Sequence, residues 1–171
     1  MNLLPPPHEM KRLFILRHAK SSWDDAKLSD FERPLNETGL EVAPFMGRYM
    51  AGHGYLPKAI VSSPARRAKE TAELIKNNAG LGGDIRFDER IYEASPNALR
   101  QVVSELGNEF DSAMIVGHNP GIEGFIRYLT GQIEPMPTAS LAVIDLDIES
   151  WRNIDHLSGR VVTVVRPKAV M

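Results

Sequence analysis

Three short apolar runs, at residues 13–16 (LFIL), 59–61 (AIV) and 114–116 (MIV), each stop abruptly at polar or charged residues. No other feature constrains the fold as much, because an unbroken apolar run suits a strand buried on both faces, in a parallel sheet covered by helices. Arg17 and His18 follow the first run. Ser62 and Ser63 follow the second, with Pro64 suited to a first helical position and Ser63 to its cap. The third leads into Gly117, His118, Asn119, Pro120 and Gly121, then into a helical pattern of Ile122, Phe125, Ile126 and Leu129.

The helix after Pro64 is expected to run to about Gly80, because Ala68, Thr71, Ala72 and Ile75 recur at helical spacing and form one narrow face. Further helices are expected at 37–52 and 96–106, and strands near 140–147 and 160–165. Pro44 implies a kink or a late start in the first of these helices. Strands alternating with helices, joined by right-handed crossovers, imply a three-layer α/β/α sandwich around a mostly parallel sheet. Ligands bind such sheets beyond the strand carboxyl ends. Arg17 with His18, the segment 62–67, and Gly117 with His118 are therefore expected to meet at one edge.

A chain of 171 residues with 43% hydrophobic composition can bury one substantial core, so a single domain is expected over 11–171. Residues 1–10, which include Pro5, Pro6 and Pro7, read as a disordered leader. The 20 Lys and Arg residues against 22 Asp and Glu form no long block of one sign, which argues against a nucleic-acid partner. The lack of cysteine excludes disulfides, thiolate metal sites and cysteine-nucleophile chemistry. No apolar run approaches the roughly 18 residues of a membrane span, and residues 1–10 lack the makings of a signal peptide. No membrane partner and a cytoplasmic location are expected.

Residues gathered at that edge suit phosphate chemistry. A phosphoryl group in transfer spreads negative charge over its equatorial oxygens, and a site without metal must meet it with cations and fixed donors. Arg17 and Arg67 can do so, since a planar guanidinium gives two parallel hydrogen bonds and stays charged. Histidine attacks phosphorus when one ring nitrogen is unprotonated and the other is held by a hydrogen bond, and His18 is the expected nucleophile. Helix amino termini after Ser63 and Asn119 would add backbone donors. No metal and no cofactor are expected, as no HExxH or calcium-loop spacing occurs. His8, His53 and His156 read as surface or packed residues. Asp145 in DLDIE superficially resembles an aspartate phosphatase nucleophile, but too little chain follows Asp147 for the remaining motifs of that fold.

The blocks LFILRHAK, SSPARRAKETA and VGHNPGIE, in that order and each on an expected strand end, resemble the histidine phosphatase superfamily. This is also called the phosphoglycerate mutase-like family, and the similarity is to its short SixA-type phosphohistidine phosphatase branch. The resemblance implies a phosphoglycerate mutase-like fold, Arg17 and Arg67 as phosphate clamps, His18 as the phosphorylated residue and His118 as the second histidine of the pocket. Arg66 is set aside, because the family's arginine directly precedes alanine. Two positions depart from the pattern: Ala19 replaces a glycine, and Asp24 follows Trp23 where the mutase-like pattern has a phosphate-binding asparagine. Lys20, Ser21 and Ser22 could compensate, and Lys20, Ser22 and Asn119 are the substrate-binding candidates.

Related phosphatases protonate a poor alkoxide leaving group with a glutamate; Glu93 in RIYEA fits that register and Glu89 a rival one. A phosphohistidine substrate relaxes the demand. Arg33, in a segment resembling the branch, reads as structural or as substrate edge. The resemblance implies a metal-independent phosphohydrolase whose partner is a phosphorylated protein histidine. A small phosphate ester as substrate, or a catalytically silent phosphate-binding module, are the alternatives.

Overall fold

The computed structural model describes residues 10–171, so the expected leader, apart from Met10, lies outside the described residues. Strand β1 (Lys11–Arg17) contains the first apolar run and lies inside a six-stranded sheet. Its side chains alternate between two cores. Leu13 and Ile15 pack with Leu99, Val103, Phe125 and Ile126 on one face, while Phe14 and Leu16 pack with Met46, Met50, Ala72 and Ile75 on the other. Burial on both sides is why the run shows no polar alternation.

The remaining elements follow as α1 (Glu37–Gly52), β2 (Ile60–Ser62), α2 (Arg66–Ala79), β3 (Ile85–Phe87), α3 (Pro96–Ser104), β4 (Ser112–Gly117), α4 (Gly121–Thr130), β5 (Leu141–Leu146), β6 (Gly159–Val165) and α5 (Pro167–Val170). Strand order is β3-β2-β4-β1-β5-β6. The pairs β3–β2, β2–β4 and β4–β1 are parallel, and β5 runs antiparallel to both β1 and β6, so the sheet is mixed with one reversed strand. Helices α1 and α2 cover one face, and α3 and α4 the other. Among the described residues no helix is long and apolar enough to cross a membrane.

Some boundaries differ from expectation. Helix α1 starts at Glu37 despite Pro44, capped by Asn36 Oδ1, which accepts the Gly39 amide at 2.8 Å. The amide that Pro44 lacks would have met the Leu40 carbonyl, and Leu40 is exposed, so water can replace it. Helix α2 begins at Arg66 with Ala65 as N-cap, not at Pro64, because Ser63 Oγ bonds the Ala65 amide at 3.2 Å in a tight turn. Helix α3 ends at Ser104. The short edge strand β3 was not expected; it is only partly buried and carries no apolar run.

Register then sets the site. Arg17 lies opposite Gly117, and Ser62 opposite Val116, so β1, β2 and β4 end side by side. The His18 amide bonds Gly117 O at 3.0 Å and the Ser63 amide bonds Val116 O at 2.9 Å, carrying the pairing one residue into the loops. The antiparallel β5 starts at this same edge, where the Ala139 amide bonds His18 O at 3.0 Å.

The loop after His18 is held against the first turn of α1. Lys20 O accepts the Asn36 amide at 3.0 Å, and a β-carbon added to Gly39 would overlap that oxygen. Gly39→Ala is therefore expected to cost about 1–3 kcal/mol in urea denaturation, since backbone must move to relieve the overlap. A loss under about 0.5 kcal/mol would show that the contact is slack.

Candidate active site

His18, directly after β1, is 6% exposed. Its Nδ1 lies 2.7 Å from Ala19 O. A carbonyl oxygen only accepts, so Nδ1 carries the hydrogen and Nε2 a lone pair. Arg67 Nε points to that nitrogen at 3.4 Å, a long contact that requires Nε2 to be the acceptor. Desolvation, aided by His118 and the nearby arginines, lowers the His18 pKa to about 3, so the ring is neutral at neutral pH. Thr71 ties this loop to the helix bearing Arg67: its Oγ1 accepts the Ala19 amide at 3.0 Å and donates to Arg67 O at 2.7 Å.

Arg67, in the first turn of α2, is also 6% exposed. Its Nη1 donates to Asp30 O at 2.7 Å and its Nη2 to Asp30 Oδ2 at 3.1 Å. Asp30 also accepts Tyr92 Oη at 2.6 Å and Arg33 Nε at 3.2 Å. The Tyr92 hydrogen bond, then Arg67 and Arg33, pull its carboxyl down to about 2. Sequence reasoning missed both Asp30 and Tyr92. The available signal was electrostatic: buried guanidinium groups need a counter-charge.

Arg33 is buried and organises the loop before it, donating from Nη1 to Ser21 Oγ at 2.8 Å and to Ser22 O at 3.3 Å. Its guanidinium carbon lies 3.5 Å from the centroid of the Trp23 ring, which is itself 75% exposed. Arg33 thus braces the loop and also lines the cleft.

Arg17 donates from Nη1 to Met136 O at 3.1 Å, and its Nε is buried without a partner among the described residues. Burial lowers its pKa. His118, at the end of β4, is 9% exposed, and its ring centroid is 5.0 Å from that of His18. Its Nε2 lies 2.8 Å from Ser63 Oγ, and its Nδ1 is buried without a partner among the described residues. Desolvation first, then Arg67, brings its pKa to about 4.

These side chains surround a cleft of about 550 Å³ lined by Arg17, His18, Lys20, Ser22, Arg67 and His118, among others. Asp24 is on the wall, and its amide donates to Ser22 Oγ at 3.0 Å. Asn119 also lines the cleft, but its amide is already engaged: Nδ2 donates to Glu123 Oε2 at 2.6 Å and to Met136 O at 3.0 Å. It braces the segment that holds Arg17 instead of presenting free donors.

Glu93 and Glu89 are not among the lining residues. Both are exposed, and Glu93 has a left-handed backbone with φ 53°. The RIYEA segment instead brings Tyr92 to the site, its ring 5.5 Å from that of His118. Arg66 is exposed and pairs with Glu70, His53 and His156 are exposed, and His8 lies outside the described residues. Asp145 pairs with Arg12 and Arg160 on the sheet. Among the described residues no group of three or more His, Asp or Glu side chains forms a metal-ligand set.

The family model described as Histidine phosphatase superfamily (branch 1) matches residues 13–114, which stops short of His118. Phosphohistidine phosphatase SixA of Escherichia coli (strain K12) is 27% identical over 143 residues, covering 80% of this chain and 86% of that protein. An uncharacterised chloroplast protein of Arabidopsis thaliana is 30% identical over 158 residues, 87% of this chain and 72% of that one. Among solved structures, a candidate phosphohistidine phosphatase SixA from Agrobacterium tumefaciens gives a TM-score of 0.79 at 29% identity, covering 92% of this chain and 98% of that one. The protein histidine phosphatase SixA complexed with tungstate gives 0.82 at 22% identity, covering 94% and 99%. The architecture is thus a phosphoglycerate mutase-like α/β fold.

The depressed histidines predict how stability responds to acid. In an unfolded chain both rings take up protons near pH 6.5, but folded they do so only near 3 and 4. Between those values the unfolded state binds more protons, so stability falls as the pH drops from about 6.5 toward 4. Asp30, displaced to about 2, loses its contribution only below that window. Urea midpoints measured from pH 7.5 to 4.5 should decline in the wild type and decline less in a His18→Asn, His118→Gln double variant. Equal slopes in the two proteins would contradict this assignment.

Proposed function

The chain belongs to the histidine phosphatase superfamily, and on that footing we propose that residues 11–171 act as one phosphohydrolase domain in which His18 accepts a phosphoryl group and passes it to water. The observation that carries this reading is the state of His18: a buried neutral ring, its hydrogen fixed on Nδ1 by Ala19 O and its Nε2 lone pair facing Arg67.

A substrate phosphoryl group would enter between Arg17, Arg67 and His118. His18 Nε2 attacks in line, so the phosphorus–nitrogen bond forms as the bond to the leaving group breaks. Ala19 O continues to accept the Nδ1 hydrogen and steadies the positive charge the ring acquires. Water then displaces the imidazole, releasing phosphate and restoring the lone pair. The guanidinium groups neutralise charge on the equatorial oxygens, a task that elsewhere falls to a divalent metal.

Phosphohistidine in a protein is the substrate class this site fits best. An alkoxide needs a proton as it leaves, whereas imidazole departs more readily. Both glutamates in position by sequence are exposed and not held against His18, which suits the less demanding leaving group. The SixA phosphohistidine phosphatase relative points the same way.

Wild-type protein incubated with a phosphohistidine donor and quenched in alkali should carry acid-labile phosphate, absent from His18→Ala, whose turnover should fall at least about 1000-fold. Tight binding with no trapped phosphate would support the silent module instead. Faster hydrolysis of small esters than of phosphohistidine protein would support the ester alternative. Arg67→Lys, which loses the planar fork, should lower kcat/KM about 100-fold. Activity should persist in EDTA; a requirement for divalent cation would remove the arginine-clamp mechanism.

A further inference from the structure

Ser63 is fully buried, and its backbone is fixed by the amide bond to Val116 O at 2.9 Å. Its Oγ touches two groups: the Ala65 amide, which donates to it at 3.2 Å, and His118 Nε2 at 2.8 Å. Ser62 does not compete for Oγ, since its own hydroxyl donates to Ser63 O at 2.9 Å. An amide N–H cannot accept, so among the described residues the Ser63 hydroxyl hydrogen has one acceptor, His118 Nε2. That places the His118 ring hydrogen on Nδ1.

The reverse arrangement is worse on two counts. With the hydrogen on Nε2, the Ser63 hydroxyl hydrogen has no acceptor among the described residues, and the buried Nδ1 becomes a lone pair with no donor among them. The first arrangement leaves a single open group, the Nδ1–H, in the wall of a cleft shared with Arg17, His18 and Arg67. An anion's oxygen satisfies it.

We propose that Ser63 is a positioning residue that locks His118 in the Nδ1–H tautomer, so that its Nδ1–H donates to a phosphoryl oxygen while its Nε2 is closed to phosphorus. The second half of this inference rests on the phosphatase reading above. The two rings then carry the same tautomer and do opposite work. On His18 a carbonyl takes the Nδ1 hydrogen and leaves Nε2 open; on His118 a hydroxyl closes Nε2 and leaves Nδ1–H open. The depressed pKa of His118 agrees with a neutral donor.

Long-range proton–nitrogen NMR of the imidazole nitrogens at pH 7.5 reads the tautomer directly, with the signals assigned by their loss in His118→Gln. Resting wild type should show protonated Nδ1 and unprotonated Nε2, and inorganic tungstate should shift the Nδ1 proton. An Nε2-protonated His118, or an Nδ1 proton indifferent to saturating tungstate, overturns the proposal. Ser63→Ala should show both tautomers and lower kcat about tenfold with a smaller change in KM, and Ser63→Thr should restore a single tautomer. A single unchanged tautomer in folded Ser63→Ala also overturns it, and if that variant fails to fold the wild-type spectrum still decides. The tautomer needs no turnover to be read. A chain inactive on every phosphorylated substrate would remove the proposed function and leave the Ser63–His118 assignment standing, whereas Nε2–H in an active enzyme would remove the assignment alone.

Discussion

The parallel pairing of β1 with β4, with Arg17 opposite Gly117, decides where both imidazoles go. Each strand runs apolar to its last residues and then delivers a histidine, so the register that buries Ile15 beside Ile115 also brings His18 and His118 to the same edge. A slip of one residue would exchange the two faces of β1, putting Leu13 and Ile15 where Phe14 and Leu16 belong. Position at the site is therefore fixed by hydrophobic burial distant from it, and the loops add only the last few ångströms.

Gathering cations there creates a cost that Asp30 offsets. Arg67 and Arg33 are both buried, and with no anion bound their charges would repel across a medium of low polarity. Asp30 lies between them, its carboxylate bonded to both and to Tyr92, and its backbone carbonyl holds the second amino group of Arg67. The carboxylate fixes the far end of the Arg67 guanidinium, which leaves its Nε edge directed at His18. The site is thus pre-organised by an acid that compensates its charge and lies to one side of His18.

The layered α/β architecture, and the meeting of Arg17, His18, Arg67 and His118 at one strand edge, were legible in the sequence because they depend on local patterns. An apolar run followed by a charged or polar residue shows both the strand and its functional end. What was not legible depends on distance in the chain. Asp30 meets Arg67 across 37 residues and Tyr92 across 62, and no periodicity carries that information. Glu93 was favoured on motif register, which cannot tell which residue of a tight turn meets the site; the turn brings Tyr92 there and leaves Glu93 exposed. Ser63 read as a helix cap because its type and place suit one, but its hydroxyl lies between the Ala65 amide and a histidine from another strand.

These features combine in the protonation state of His18. A histidine that is to attack phosphorus must keep a lone pair, yet the site must be cationic enough to draw in a phosphate. In the proposed reaction one arrangement serves both needs, because burial and the arginines hold His18 and His118 neutral while the same arginines would attract the anion. An arriving phosphoryl group would by its negative charge favour protonation of nearby imidazoles. On His18 the two influences divide: the Nδ1–H bond to Ala19 O, which by itself favours a charged ring, fixes which nitrogen keeps the lone pair, while burial and the arginines keep that nitrogen, Nε2, unprotonated. In the proposed reaction, the backbone carbonyl after the nucleophile therefore matters as much as the guanidinium groups facing it.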